Sequence, residues 1–454
     1  MSAPDSSQGP PDLSRLSRVV RENPHFRRLY AANAISQVGD WLSIVALYSL
    51  VIDLTGKGES VAIALITHLV PAFVFGPTAG VLADRVSRRT MMITADLLRA
   101  ALVLCFLFVK GPDDIWFAFG VMTLHSIASA FFEPAQQATF PNLVPEKDLA
   151  LAGTLENSLW SVSLAVGSML GGLVIAAVGR NVVFVLDAIT FLASAWLIRG
   201  LPDRYAYAQK SDASRRAEAE LREANQLQSG SAIANLLGLS ELREGFRYVL
   251  REGRVAAIIL VKASFGLTLG GVLVLLAFFG EKVFGDGSGG GYAALYTARG
   301  VGSFLGPLVA FRIAGDAPIT LRRGVAAAFV LVLTAYVAFS VSPTLWIASI
   351  ALAFGNAGGS ILWTYGSALL QRIVPDEVRG RVAATEMAAM TLAMTGSTWL
   401  VGVLVDRGVA PRLLMAGCGL VALGPILFWL SVQPRFRAHD LPPLTARDRE
   451  VTSR

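Results

Sequence analysis

The sequence predicts an all-α membrane protein: twelve transmembrane helices arranged as two parallel six-helix repeats. Three observations predict it. Apolar runs are long enough to cross a bilayer, basic residues gather on alternate loops, and the chain corresponds with itself at a fixed offset. Of the 454 residues, 54% are hydrophobic and 16% charged, whereas water-soluble domains carry about 25% charged residues.

A spanning helix needs about 20 apolar residues to cross about 30 Å of hydrocarbon. Twelve runs meet that requirement: 29–52, 60–83, 90–110, 114–138, 149–178, 182–199, 255–280, 291–313, 323–342, 345–370, 381–405 and 411–431. Residues 1–28 are polar, rich in Ser and Pro, and lack an apolar core. They predict a cytosolic tail rather than a cleaved signal, with Leu13, Leu16, Val19 and Val20 forming a short amphipathic stretch at the membrane surface. Residues 200–252 form a polar insert that predicts a cytosolic linker, and 433–454 a cytosolic C-terminal tail. The six-helix bundles are then 29–199 and 253–432.

Lysine and arginine set the orientation. With both termini cytosolic, 30 of the 39 basic residues face the cytosol, six face outward and three lie within spans. The net charge of +6 thus follows topology and does not call for a nucleic-acid partner. The expected location is the inner (cell) membrane, with the bilayer itself as a partner.

A shift of 230 residues superimposes Arg21-Glu22 on Arg251-Glu252, Gly76-Pro77 on Gly306-Pro307, and LVPEKDLALAGTLE (143–156) on IVPDEVRGRVAATE (373–386). Three coincidences at one offset mark an internal repeat of the kind related by an axis along the membrane normal. Both cysteines, Cys105 and Cys418, sit in apolar runs as small buried residues.

The loop after the second span reads GVLADRVSRR (80–89). It resembles the signature of the major facilitator superfamily, Gly-x-x-x-Asp-Arg/Lys-x-Gly-Arg/Lys-Arg/Lys. Gly80, Asp84, Arg85, Arg88 and Arg89 fit, and Ser87 replaces the second Gly. QVGDWL in span one and FFEPAQQATFPNLVP closing span four are similar to the drug, macrolide and siderophore (enterobactin) exporters of that superfamily. The resemblance covers residues 25–432. It implies one transport unit acting as a monomer, with a small-molecule path between two halves. It further implies that Gly80 lets spans two and eleven approach and that Asp84 meets the start of span eleven. The loop arginines would then meet Glu133 as a latch. The second half has no such cluster at 310–319.

Charges within a span are costly and mark function by default. Asp40, with apolar neighbours in span one, is the leading proton carrier. Asp96 and Arg99, three apart, share a helix face and form a structural ion pair or a coupling switch. Glu156 and Glu386 occupy equivalent repeat positions and are further coupling residues or a shared structural element. Asp187, near the start of its span, caps that end or remains wet. Lys262 and Arg299 meet an anionic substrate group or pair with Glu386. AVGSMLGGLV in span five resembles an antiporter signature with Ser168 in place of its Pro, and its glycines equally serve packing. Trp41, Tyr48, Phe132, Trp160, Trp363 and Tyr365 are aromatic lining for an amphipathic substrate.

Together these features predict a proton-coupled exporter, an antiporter conferring drug resistance. A lysophospholipid transporter of the same fold and a non-transporting sensor share them. The chain contains no Gly-x-x-x-x-Gly-Lys-Ser/Thr loop and none of its four histidines forms a metal pair. No cofactor, metal or enzyme activity is therefore expected.

Overall fold

Helices α2 to α7 open the chain after a short α1 (Leu13–Glu22): α2 Pro24–Thr55, α3 Gly58–Arg85, α4 Arg88–Cys105, α5 Ile115–Thr139, α6 Leu149–Val178 and α7 Arg180–Arg199. After the insert come α8 Leu239–Arg251, α9 Gly253–Phe278, α10 Gly290–Ala314, α11 Pro318–Ser340, α12 Leu345–Ile373 and α13 Asp376–Asp406. The last span is two pieces, α14 Pro411–Leu420 and α15 Leu423–Val432. The computed structural model describes residues 13–145, 148–202, 239–285, 289–315, 317–433 and 436. Most of the two tails and of the insert lies outside the described residues.

Eleven of the described helices are long and apolar enough to cross a membrane. The twelfth predicted span is α10, which is 25 residues long but carries several glycines, Arg299 and Arg312. The repeat is visible in the helix starts. Positions 24, 58, 88, 115, 149 and 180 correspond to 253, 290, 318, 345, 376 and 411, each pair 227–232 residues apart. Trp116 and Trp346, 72% and 78% exposed, open α5 and α12 at equivalent positions. Such tryptophans belong at a membrane interface, where an apolar ring and a polar N–H both find their solvent.

The chain groups into two units. The first comprises residues 1–239 and 276–301, the second 240–275 and 302–454. In the first unit, the loop after α3 is held by Ser87, whose hydroxyl caps α4 by accepting from the Thr90 amide at 3.3 Å. Arg88 is buried and donates to the carbonyls of Ala83 at 3.2 Å and Ala138 at 2.7 Å, tying the start of α4 to the ends of α3 and α5. A side chain added at Gly80 would meet open space. The side chain of Asp84 lies outside the described residues.

Helix α1 is tied to the first bundle. Val19 is fully buried in a cluster with Phe26, Leu29, Met92, Leu143 and Ala152. Arg18 reaches Asp148 at 3.9 Å, and the Asn23 side chain donates to the Val19 carbonyl at 2.9 Å. Val19 and Val20 of the amphipathic stretch thus pack on the first bundle, and the side chains of Leu13 and Leu16 lie outside the described residues.

Close helix contacts are built with glycine, where a missing side chain lets backbones approach. A Cβ at Gly167 or Gly171 of α6 would overlap Val38, Trp41 or Leu42 of α2. In the second unit the equivalent contact, α9 against α13, has its glycines on the other partner. There Gly266 and Gly270 of α9 face Met390 and Met394 of α13.

Candidate functional site

Four polar clusters sit inside these bundles. The first is centred on Arg99. Its guanidinium pairs with Asp96 one turn away on α4, and lies 3.5 Å from Asp40 on α2. The rings of Phe132 and Phe191 flank it at 4.5 and 4.4 Å, a cation–π sandwich that replaces part of its lost hydration. Asp96 is fully buried, whereas the Asp40 side chain is 26% exposed. His125 Nε2 lies 3.9 Å from the other Asp40 oxygen. Glu133 has Arg99 and Asp40 as charged neighbours.

Asp187 joins the same cluster. The sequence reading left it capping a helix end or wet; it is instead 1% exposed and two turns inside α7. Its carboxylate accepts from Thr190 Oγ1 at 3.2 Å and lies in the fields of Asp40 and Arg99. Gly39 makes room for it, since a Cβ there would collide with Asp187 and Thr190. The Gly preceding Asp40 in QVGDWL is thus a packing requirement imposed from another helix.

The second cluster surrounds Glu156 on α6. Asn33 Nδ2 donates to its carboxylate at 3.0 Å, and Gln136 Nε2 to both oxygens at 3.3 Å. Gln37 supports Asn33 at 3.1 Å. Neutral amides, rather than a cation, face this acid.

The third cluster is the counterpart in the second unit. Glu386 on α13 forms an ion pair with Lys262 on α9. Lys262 is 2% exposed; it donates to Ser367 Oγ at 2.8 Å and lies 4.1 Å from the centre of the Trp363 ring. Glu156 and Glu386 are 230 positions apart, and Ala32 stands where the second half has Lys262. The repeat has kept the acid and changed its partner, an asparagine from one helix becoming a lysine from the equivalent one.

The fourth cluster is aromatic. Trp41 packs edge-on to Trp160 at 5.5 Å and lies 6.3 Å from Tyr296. Tyr296 packs on Tyr292 at 4.5 Å, and Tyr292 on Tyr48 at 6.3 Å. Arg299 is buried with its guanidinium 4.6 Å from the Tyr296 ring. All of these belong to the first unit, because residues 276–301 group with it. At the end of this cluster Arg180 pairs with Asp53 and donates to Ser49 at 3.1 Å. Beside them Glu281 sits buried in a π-helical turn, Phe279–Val283. Tyr365 is buried in the second unit against Gly324.

The sequence marks Asp187 as a charge within a span but places it at the span's end, and it does not single out His125, Phe191, Tyr292, Tyr296, Ser367 or the Asn33 and Gln136 amides. Of these, the intramembrane histidine and the acid in span six were visible as polar residues in apolar runs. The others become recognisable only through their contacts.

A family model described as "Transmembrane secretion effector" matches residues 20–452. YfiS, an uncharacterized MFS-type transporter of Bacillus subtilis (strain 168), is 28% identical over 89% of this chain and 94% of its own length. Macrolide efflux protein A of Streptococcus pyogenes is 30% identical over 36% of this chain and 41% of its own. The putative bacilysin exporter BacE of B. subtilis (strain 168) is 22% identical over 87% and 93%. Among solved structures, a POT family transporter superposes with a TM-score of 0.67 at 12% identity, covering 90% of this chain and 97% of that one. A bacterial homologue of the human lysosomal transporter Spinster gives 0.65 at 14% identity, covering 95% and 100%. At these identities the solved structures speak for the fold alone.

Proposed function

Since this chain belongs to the transmembrane secretion effector family of the major facilitator superfamily, we propose that it exports a small amphipathic or hydrophobic compound in exchange for protons, by alternating access. Membership makes it a multi-pass membrane transporter and not an enzyme. The export direction rests on the relatives named as a macrolide efflux protein and a bacilysin exporter. The orientation, with both termini in the cytosol of the inner membrane, rests on the 30-to-6 bias of the basic residues. A single chain carrying both repeats acts as a monomer.

The observation that carries proton coupling is the charge balance around Arg99. One guanidinium faces Asp96 and Asp40, and Asp187 and Glu133 are close by. A single cation in a low-dielectric interior balances a single carboxylate, so a second acid in the same pocket is neutralised by a proton. Asp96 is sealed and Asp40 is not, which makes Asp40 the group that exchanges its proton with solvent. Asp96 and Arg99 then set the charge against which Asp40 loads, and Glu156 and Glu386 are the secondary coupling residues. The loop arginines Arg85, Arg88 and Arg89 act with Asp84 as the gate. Trp41, Tyr48, Trp160 and the Tyr292–Tyr296 pair supply flat apolar area for the cargo, with Arg299 beside them for a polar group.

The test is transport in proteoliposomes under an imposed pH gradient, with a panel of dyes, macrolides and siderophores. Wild type is expected to concentrate at least one compound against the gradient. Asp40→Asn is expected to bind it with little change but to lose the response to the gradient. Equal gradient-driven transport by Asp40→Asn refutes the assignment.

A further inference from the structure

The amphipathic helix α8 (Leu239–Arg251) is not used by the transport reading. It precedes the spanning helix α9 by a single residue, Glu252. One face of it is packed: Gly245 lies so close to Arg381 and Thr385 of α13 that a Cβ would overlap them, and Val249 is buried. Glu244, half-exposed at the edge of the arginine-bearing face, pairs with Arg381 at 3.0 Å. The opposite face carries Arg243, Phe246, Arg247, Leu250 and Arg251, which at 100° per residue fall within an arc of about 140°. Phe246 is 55% exposed and Leu250 68%. Among the described residues Arg243, Arg247 and Arg251 make no ion pair.

The direction of α8 follows from its neighbours. Helices α9 and α13 run side by side in register, with Lys262 by Glu386, Gly266 by Met390 and Gly270 by Met394. A straight continuation of α9 would put Gly245 level with position 369, before α13 begins at Asp376. Gly245 instead touches Arg381, so the chain turns at Glu252 and α8 folds across the end of α13. The 31 residues of α13 make a rod about 46 Å long, against a hydrocarbon thickness of about 30 Å. Shared between two ends, the excess is about 8 Å, and Arg381 lies about 7 Å from the first residue of the helix. This places α8 at the boundary of hydrocarbon and headgroups.

We propose that α8 is an anionic-lipid-binding surface, in which Phe246 and Leu250 enter the acyl boundary and Arg243, Arg247 and Arg251 hold phosphate headgroups. Charge complementarity and continuity with a spanning helix select this occupant over a soluble partner. An arginine near an anionic surface contributes about a factor of five in binding at low salt, so three contribute about a hundredfold. The contribution falls as salt screens it.

The full chain in phosphatidylcholine nanodiscs is titrated with labelled phosphatidylglycerol and, separately, with labelled phosphatidylcholine. Wild type is expected to prefer phosphatidylglycerol, and added salt to erode that preference. The triple variant Arg243→Gln/Arg247→Gln/Arg251→Gln is expected to lose the preference about a hundredfold, and the triple lysine variant to keep most of it. Phe246→Ser/Leu250→Ser is expected to weaken both lipids alike. A glutamine variant that prefers phosphatidylglycerol as strongly as wild type overturns the proposal; it would point to a soluble partner for this face. So does a wild-type preference that is absent or indifferent to salt, a measurement that stands even where the variants fail to fold. Lipid association is read without transport, so the result is independent of the coupling mechanism.

Discussion

Replacing Lys262 by Met tests whether the ion pair of the second unit holds that bundle together or merely fills it. Lys262 and Glu386 lie about ten residues into their helices, about 15 Å from the ends. Their side chains are 1% and 11% exposed. Lys262→Met removes the cation while fitting the methylenes that pack on Gly366, and it leaves Glu386, itself buried, without its cation. Breaking a buried pair from one side costs about 3–5 kcal/mol; insertion scales put a lone charge at mid-membrane at about 2.5–3.5 kcal/mol. The Trp363 contact adds about 0.5–2 kcal/mol that is lost with the ammonium. The expected loss is about 3–4 kcal/mol for the single variant. The double variant Lys262→Met/Glu386→Leu removes both charges and is expected within about 1 kcal/mol of wild type. Denaturant unfolding in detergent, followed by tryptophan fluorescence with Glu386→Leu completing the cycle, measures the coupling. Single and double variants equally unstable, or a single variant within about 0.5 kcal/mol of wild type, would refute the reasoning.

Two further outcomes follow from the first unit. Gly39→Ala forces a methyl into the space of Asp187 and Thr190, and a destabilisation of about 1–3 kcal/mol is expected by thermal unfolding; an unchanged transition would mean that the contact yields freely. Glu156→Leu leaves the Asn33 and Gln136 amides without their acceptor and is expected to cost about 1–3 kcal/mol, whereas Glu156→Gln, which keeps one carbonyl acceptor, costs about 1 kcal/mol or less. Equal losses in the two variants would show that packing, and not hydrogen bonding, holds that corner.

The fold was legible because a bilayer imposes length and hydropathy on every span. The run predicted at 149–178 coincides with α6, and the repeat offset reappears in the helix starts at 88 and 318 and at 115 and 345. The site was legible only where its chemistry is local. Asp96 and Arg99 announce themselves by a three-residue spacing. Lys262 and Glu386 were each visible as charges in apolar runs, but their partnership spans 124 positions and carries no local signal. Asp187 was misplaced because its burial is decided by a missing side chain, Gly39, on a different helix. Helix α8 reads as part of a polar cytosolic linker because three arginines and two glutamates interrupt its apolar residues. Its face becomes meaningful only once Gly245 identifies which side is covered.

The glycines between the first and fifth helices of each repeat carry one more consequence. In the first half they belong to α6, in the second to α9, so the two contacts are equally close but cut from opposite partners. The halves are thus not interchangeable parts. A graft of α9 in place of α2 would bring glycine against glycine and leave a void, and the reverse graft would set bulk against bulk. Two copies that began alike have become a lock and key, each helix fitted to its own mate. Duplicated sequence in such a chain cannot recombine between its halves without losing the seam.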